Sequence, residues 1–533
     1  MTGSRIKSVR FLYYDALIRN AMAETKLSRR ATLGIVGGVV GGLVIGAAAG
    51  WIAKPEAAVR TVTQTVGEPG RTVTTTVTQT AATVERTVTQ YVTAPPRELT
   101  KVNVIAFAQG FAWPELFGAD GTTETDLLKR FENSENVDIT IEWGDEWAVR
   151  EKVAADVMAQ VGKYDIVLVG SDGAVQAYGY AGYLEPLDDY FTRYPQNYFN
   201  PNDVYQSFLD ANRIEGTLYA LPYYSFGPGV IYRRDLFEKY EAELPKDNWT
   251  TDDLEIALEK IHEGLRRDGI TDVYALTMRA GPGEEPTLDL AGFIYAYAGY
   301  PAWFEGGAIW PGEIKQNKAK PIFDSSDFEA GFRAFTDWSK RFGPPGISTH
   351  TWVDMMNTYA TGKAAVLMPS AINGYAALGI TENENVKKYT KFMLTPFGPG
   401  GKRINSYWTF SLGINKFSKN KEAAWRVLTY LTGRSSMEAF AERTMWPNVT
   451  MRSVLYSYPL IKKYGLEEIE LNERSVLENP AIYFPYLPEL DLFMDRIGTA
   501  ASDVVAGRKK VEEALTELQK WATELMTERG YYR

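Results

Sequence analysis

The sequence predicts an α/β protein of two lobes, preceded by a transmembrane helix and a Thr/Val-rich stalk. Three observations predict it. Residues 102–169 run through strand and helix periods in βαβαβ order. About 435 residues follow position 98, more than one ordinary core supports, so two lobes are expected. An uncharged apolar run, Ala31 to Ala53, separates a basic N-terminus from a tract dominated by Thr and Val.

Residues 1–30 hold Arg5, Lys7, Arg10, Arg19, Lys26, Arg29 and Arg30 against Asp15 and Glu24. That excess places this region in the cytoplasm and the rest of the chain outside the cell. The apolar run has 23 residues, about 34 Å as a helix, enough to cross a bilayer core. Ser28-Arg29-Arg30 is similar to a twin-arginine export signal, and Met22 offers a start that leaves a short charged region before it. Ala47-Ala48-Ala49 supplies a small-residue cleavage site. The span at 31–53 therefore reads as a retained anchor or a cleaved signal. The stalk favours the anchor, because a stalk has little use unless its end stays tethered. The chain has no Cys, which excludes a lipid-modified cysteine anchor, disulfides and thiolate metal sites.

Residues 54–98 repeat Arg-Thr-Val-Thr at 60, 71 and 86 and end at Pro95-Pro96. This composition suits an extended, solvated spacer. Val59, Val62, Val66, Gly70, Val73, Val77, Ala81, Val84, Val88 and Val92 also step by 3, 4 and 4, a period that fits a right-handed helical supercoil. Against a helix stand the weak helix propensity of Thr and Val and the break at Pro69-Gly70.

The whole chain carries a net charge of −10. The N-terminal region and stalk are net positive, so the part beyond residue 98 is near −16. An acidic surface argues against nucleic-acid binding. With His262 and His350 the only histidines, a His-rich metal site is not expected, and no cofactor is.

Within the globular part, Val102, Val104, Ala106 and Ala108 alternate as a first strand. Leu127, Leu128 and Phe131 then mark a helix. Val137, Ile139, Ile141 and Trp143 alternate again, and Val149, Val153, Val157 and Val161 stripe a second helix. Residues 165–169 are a short apolar run, as in a buried parallel strand. Ligands of such sheets sit beyond the carboxyl ends of the strands, here 109–113, 143–145 and 170–172. Far downstream, Val511, Leu515, Leu518, Ala522 and Leu525 stripe a last amphipathic helix.

Several blocks carry a family resemblance in order. They are Tyr164-Asp165-Ile166-Val167, Gly182-Tyr183-Leu184-Glu185-Pro186-Leu187, the run Gly216 to Pro222 with Ile231 to Leu236, and Gly362 to Val366. Pro396 to Gly401, Leu412 to Trp425 and Ala506 to Leu515 complete the set. Over about 101–528 the chain resembles the family 1 extracellular solute-binding proteins of ABC importers, the maltose-binding-protein-like group. The resemblance implies a periplasmic-binding-protein-like fold whose two lobes are joined by hinge crossovers and close on a ligand. Lobe one is then 99–225 plus 410–460, and lobe two 226–409 plus 461–533. It implies capture of a sugar or related small solute, and delivery to ABC permease subunits powered by their ATPase.

Sugar sites combine flat aromatic faces with a few fixed polar groups. Matching the family's contact positions gives Gln109, Trp113, Ser171, Asp172, Tyr223, Tyr224, Phe226, Ser370, Asn373, Tyr407, Trp408 and Trp446. Phe226 stands where the family has an acidic contact, a departure from a maltose-like hydroxyl pattern. Trp425 and Trp521 fall on helices and read as packing. Asn248-Trp-Thr250 and Asn448-Val-Thr450 fit glycosylation sequons, although Thr250 or Thr251 also suits a helix cap before Asp253. Two alternatives share the fold: a surface receptor, and a glycan-degrading enzyme using Glu142, Asp145 and Glu146. Carboxylate clusters are more often solvated surface, so a non-enzymatic binder is the expectation.

Overall fold

The computed structural model describes residues 59–65, 71–78, 86–93, 99–107, 126–170, 173–195, 197–403, 406–478 and 484–532. The chain divides into two compact units, 1–97 and 98–533. In the first, β1 (Val59–Thr65), β2 (Arg71–Thr78) and β3 (Arg86–Thr93) form an antiparallel sheet in the order β1-β2-β3. Val59 lies opposite Thr78, and Arg71 opposite Thr93. The helical supercoil suggested by the valine spacing is not what forms. Thr is β-branched like Val, so each Arg-Thr-Val-Thr copy favours a strand along its whole length. The span at 31–53 lies outside the described residues. Among those described, no helix is long and apolar enough to cross a membrane.

The second unit opens with the predicted βαβαβ order. β4 (Thr100–Phe107) and β5 (Val137–Gly144) pair in parallel from Thr100↔Val137 to Phe107↔Gly144. β6 (Ile166–Gly170), buried at every position, adds to the other side of β4. Helices Asp126–Glu135 and Glu146–Met158 connect them. Val149, Val153 and Val157 are buried, but Val161 lies past the end of the helix and is exposed. A short hairpin of β7 (Arg213–Ile214) and β8 (Thr217–Leu218) precedes β9 (Ala220–Phe226). β9 is an edge strand, which tolerates Pro222. The pairing register shifts there, so that Tyr223 is the extra residue of a bulge.

β10 (Val230–Arg233) begins a second sheet. β11 (Tyr274–Thr277) and β12 (Ala364–Leu367) run parallel to each other. β12 and β13 (Thr390–Met393) flank β10 antiparallel, in the order β11-β12-β10-β13. The chain then returns to the first sheet as β14 (Trp408–Ile414), inserted between β6 and β9 in the order β5-β4-β6-β14-β9.

This topology sets the site. β4, β5, β6 and β9 all end on the edge where β14 begins, since Trp408 pairs with Phe226. β11 and β12 end on the edge where β10 begins, since Ile231 pairs with Leu367. Gly227–Gly229 joins the two edges. Gly229 has φ +152, and a Cβ there would fall 2.3 Å from the Phe392 ring, so the crossover needs a glycine on both conformational and steric grounds.

Helices Glu285–Ala298, Ser326–Phe342, Leu490–Val505 and Val511–Glu528 enclose one core with the second sheet, built on Phe293, Trp303, Phe335 and Trp338. Trp425 is fully buried against Tyr190 and Phe191, and Trp521 packs on Phe493, so both are packing residues. Thr250 and Asp253 form a reciprocal cap at helix Thr251–Arg267. Asn448 and Thr450 are buried, which removes the second sequon from reach of a glycan-adding enzyme.

Candidate functional site between the two sheet edges

A small recess opens where the carboxyl ends of β11 and β12 meet the crossovers. Gly227, Arg279, Leu288, Asp289, Pro369, Ser370 and Ser406 line it. Arg279 follows β11, and Pro369 and Ser370 follow β12. Leu288 and Asp289 come from the start of helix Glu285–Ala298, Gly227 from the first crossover and Ser406 from the second. The crossover is pinned there by the Gly229 amide, which donates to the Pro369 carbonyl at 3.0 Å.

Three polar atoms at or near this recess stand out. Ser370 is the N-cap of helix Ala371–Ile380, yet its hydroxyl makes no cap bond. Its Oγ is buried without a hydrogen-bond partner among the described residues, as are Asn373 Nδ2, on the first turn of the same helix, and Asn448 Oδ1. Asn448 adjoins the recess, since a Cβ at Gly227 would lie 2.8 Å from its Nδ2. Buried polar atoms are normally satisfied, and each exception calls for an explanation. A hydroxyl-bearing ligand supplies one.

Arg279 and Asp289 form an ion pair, 3% and 0% exposed. Arg279 Nε donates to Asp289 Oδ1 at 3.0 Å, Nη2 donates to the same oxygen, and the Arg279 backbone amide donates to Oδ2 at 3.1 Å. Burial pushes the Asp289 carboxyl above its ordinary range, while the guanidinium pulls it down. Both oxygens face N–H donors, an arrangement that suits the ionised form. The sequence reading missed this pair. Its one signal was a lone acid, Asp289, inside the apolar run 286–296.

The predicted site residues are distributed as follows. Gln109, Trp113, Ser171 and Asp172 lie outside the described residues, as do the side chains of Phe226 and Trp408. By backbone, Phe226 and Trp408 pair on the first sheet's carboxyl edge. Ser370 lines the recess, and Asn373 lies one helical turn beyond it. Tyr223 is buried at the bulge. Tyr224 is fully buried in the first core, with ring centroids 6.1 Å from Phe410 and 6.0 Å from Trp446. Burial drives its phenol well above the usual range. Tyr407 is buried with its hydroxyl donating to the Ser207 carbonyl at 2.9 Å. Trp446 spans toward the second lobe, its Nε1 3.9 Å from where a Cβ of Gly379 would be.

The lobes also touch away from the recess. Arg150 Nη1 on helix Glu146–Met158 lies 3.9 Å from Glu284 Oε1 at the N-cap of helix Glu285–Ala298. A Cβ at Gly173 would fall 2.5 Å from Asp491 Oδ1. Trp310 stacks on Tyr486 at 4.4 Å, and both pack against the first core.

Two members of the carboxylate cluster have structural roles. Glu142 pairs with Lys152 at 2.8 Å and Lys163 at 3.2 Å. Asp145 caps helix Glu146–Met158 by accepting from the Ala148 amide at 3.0 Å.

The sequence profile of the bacterial extracellular solute-binding proteins matches residues 115–438. The chain belongs to this family. A mannitol-binding protein of Pseudomonas aeruginosa is 24% identical over 421 residues, covering 76% of this chain and 90% of that protein. A solute-binding protein of Agrobacterium vitis with bound D-mannitol aligns with a TM-score of 0.67 at 23% identity, covering 81% of this chain and all of that one. One from Agrobacterium radiobacter in complex with ribitol aligns with a TM-score of 0.67 at 20% identity, again over 81% of this chain and all of that one. These likenesses show the two-lobed periplasmic-binding-protein-like fold. As a solute-binding protein of this family, the chain has its globular part outside the cytoplasm, and the relatives it matches are binding proteins.

Proposed function

We propose that this solute-binding protein closes on a sugar or sugar alcohol at the recess between its sheet edges and delivers it to an ABC permease. The observation that carries the reading is the set of buried polar atoms at Ser370, Asn373 and Asn448 without partners among the described residues. Ser370 lines, Asn448 adjoins and Asn373 lies one helical turn beyond a recess at the carboxyl ends of two parallel strands, where α/β folds place ligands. The relatives' mannitol and ribitol supply the chemical class. Gln109, Trp113, Ser171, Asp172, Phe226 and Trp408 complete the site from the first lobe in this reading. Residues 31–53 hold the chain at the outer face of the membrane. A thermal-shift screen across sugars and sugar alcohols tests the binding, because a ligand bound to the folded state raises stability by mass action. Absence of a shift with every member of both classes, at millimolar concentration, would refute it. N-terminal sequencing of native protein that began at Gly50 would refute the anchor.

A further inference from the structure

Among the described residues that line the recess, Arg279 and Asp289 alone are ionisable, and the two charges cancel within it. Two other features there can donate to an anion. Ser370 lines it with a hydroxyl that does not cap its own helix. The ten-residue helix Ala371–Ile380 points its amino end at it, the end that carries partial positive charge. Ser406 is committed elsewhere, its hydroxyl donating to the Leu288 carbonyl at 2.9 Å. A guanidinium, a helix amino end and a free hydroxyl make a carboxylate-binding set. Asp289 already takes the guanidinium of that set. Its Oδ1 takes two guanidinium N–H groups and its Oδ2 the Arg279 amide. The protein thus supplies its own anion, fixed by burial.

We propose that Asp289 is a charge-selectivity residue. By cancelling Arg279 it reserves the recess for uncharged hydroxyl-bearing solutes, and removing its charge redirects the same recess to a carboxylate-bearing analogue. The proposal rests on the sugar or sugar-alcohol reading above. Within that reading it separates an alditol from the acid that differs only in one terminal carbon, CH2OH against COO⁻.

The test is calorimetric titration of the full chain with D-mannitol against D-mannonate and ribitol against ribonate. The wild type is expected to bind an alditol and to bind its acid more weakly by about tenfold or more, the scale of one charge-assisted contact. Asp289→Asn keeps shape and loses the charge, and is expected to bind the acid more tightly than the alditol. Asp289→Ala is the second variant. It opens space beside Arg279 that added formate can fill, and formate is expected to restore alditol binding and raise its melting temperature. An Asp289→Asn protein with the wild-type order of preference overturns the proposal. So does an Asp289→Ala protein that formate leaves unchanged. A wild type that binds neither alditol, nor any sugar in the earlier screen, overturns the underlying reading instead, and the two failures are told apart by that first titration.

Discussion

The contact between Arg150 and Glu284 offers a direct test of whether affinity is stored in lobe closure. The pair joins a helix of the first lobe to the cap of a helix of the second, at 3.9 Å, with side chains 22% and 16% exposed. Two unit charges at this distance attract by about 4 kcal/mol at an effective dielectric near 20. Desolvation and side-chain ordering cancel most of that, and partly exposed pairs retain about 1 kcal/mol. Because neither residue lines the recess, Arg150→Ala should weaken solute binding about fivefold through closure alone. The loss should appear as faster release at an unchanged association rate, measured by stopped-flow beside calorimetry. Arg150→Glu combined with Glu284→Arg should recover most of it. Wild-type affinity in Arg150→Ala would refute the reasoning, as would a large drop in its ligand-free melting temperature, which would make the pair part of the fold.

Trp408→Ala should cost about 2 kcal/mol, roughly thirtyfold in affinity, as expected for a buried ring stacked on ligand; unchanged affinity with a lowered melting temperature would place the ring in the core. Ser370→Ala should weaken binding by about fivefold, on the order of 1 kcal/mol for one neutral hydrogen bond. It should leave the ligand-free melting temperature unchanged, because the hydroxyl caps nothing; a melting drop typical of a lost helix cap would contradict this. Glu142 is held down to about 2 by Lys152, then by Tyr164 and Lys163. A depressed carboxylate stabilises the fold above its unfolded range near 4.5 and loses that contribution as pH falls toward 2. Glu142→Gln should therefore melt below wild type at pH 7 and together with it at pH 2, by calorimetry at both values.

What the sequence disclosed and what it hid divide along physical lines. β4, β5 and β6 were legible because their alternation, or unbroken apolarity, follows from which faces are buried. A cap at Thr250 or Thr251 was legible because a cap is a local motif, and the structure uses Thr250. The stalk's valine step fitted a helix, but the threonines between the valines share their β-branched preference, and that preference prevails in the strands. Arg279 and Asp289 were hidden because each reads as an ordinary charge in one dimension. The second sheet's topology brings them together at the edge where its parallel strands end. Asn448 was hidden differently, as a residue that fits a surface motif but lies buried at the site.

Among the described residues the stalk sheet has three strands, and that odd number matters for the reach of the chain. Residues 54–98 drawn out fully would reach about 150 Å. Folded up, down and up again, strands of seven and eight residues rise only about 25 Å. Two strands or four would return the chain to the end it entered. Three deliver it to the opposite end, so the folded tract still advances the chain, but by one strand length. In the anchored reading proposed above, a leash becomes a short spacer, which confines the search volume of the binder and raises the local concentration that a permease in the same membrane would meet.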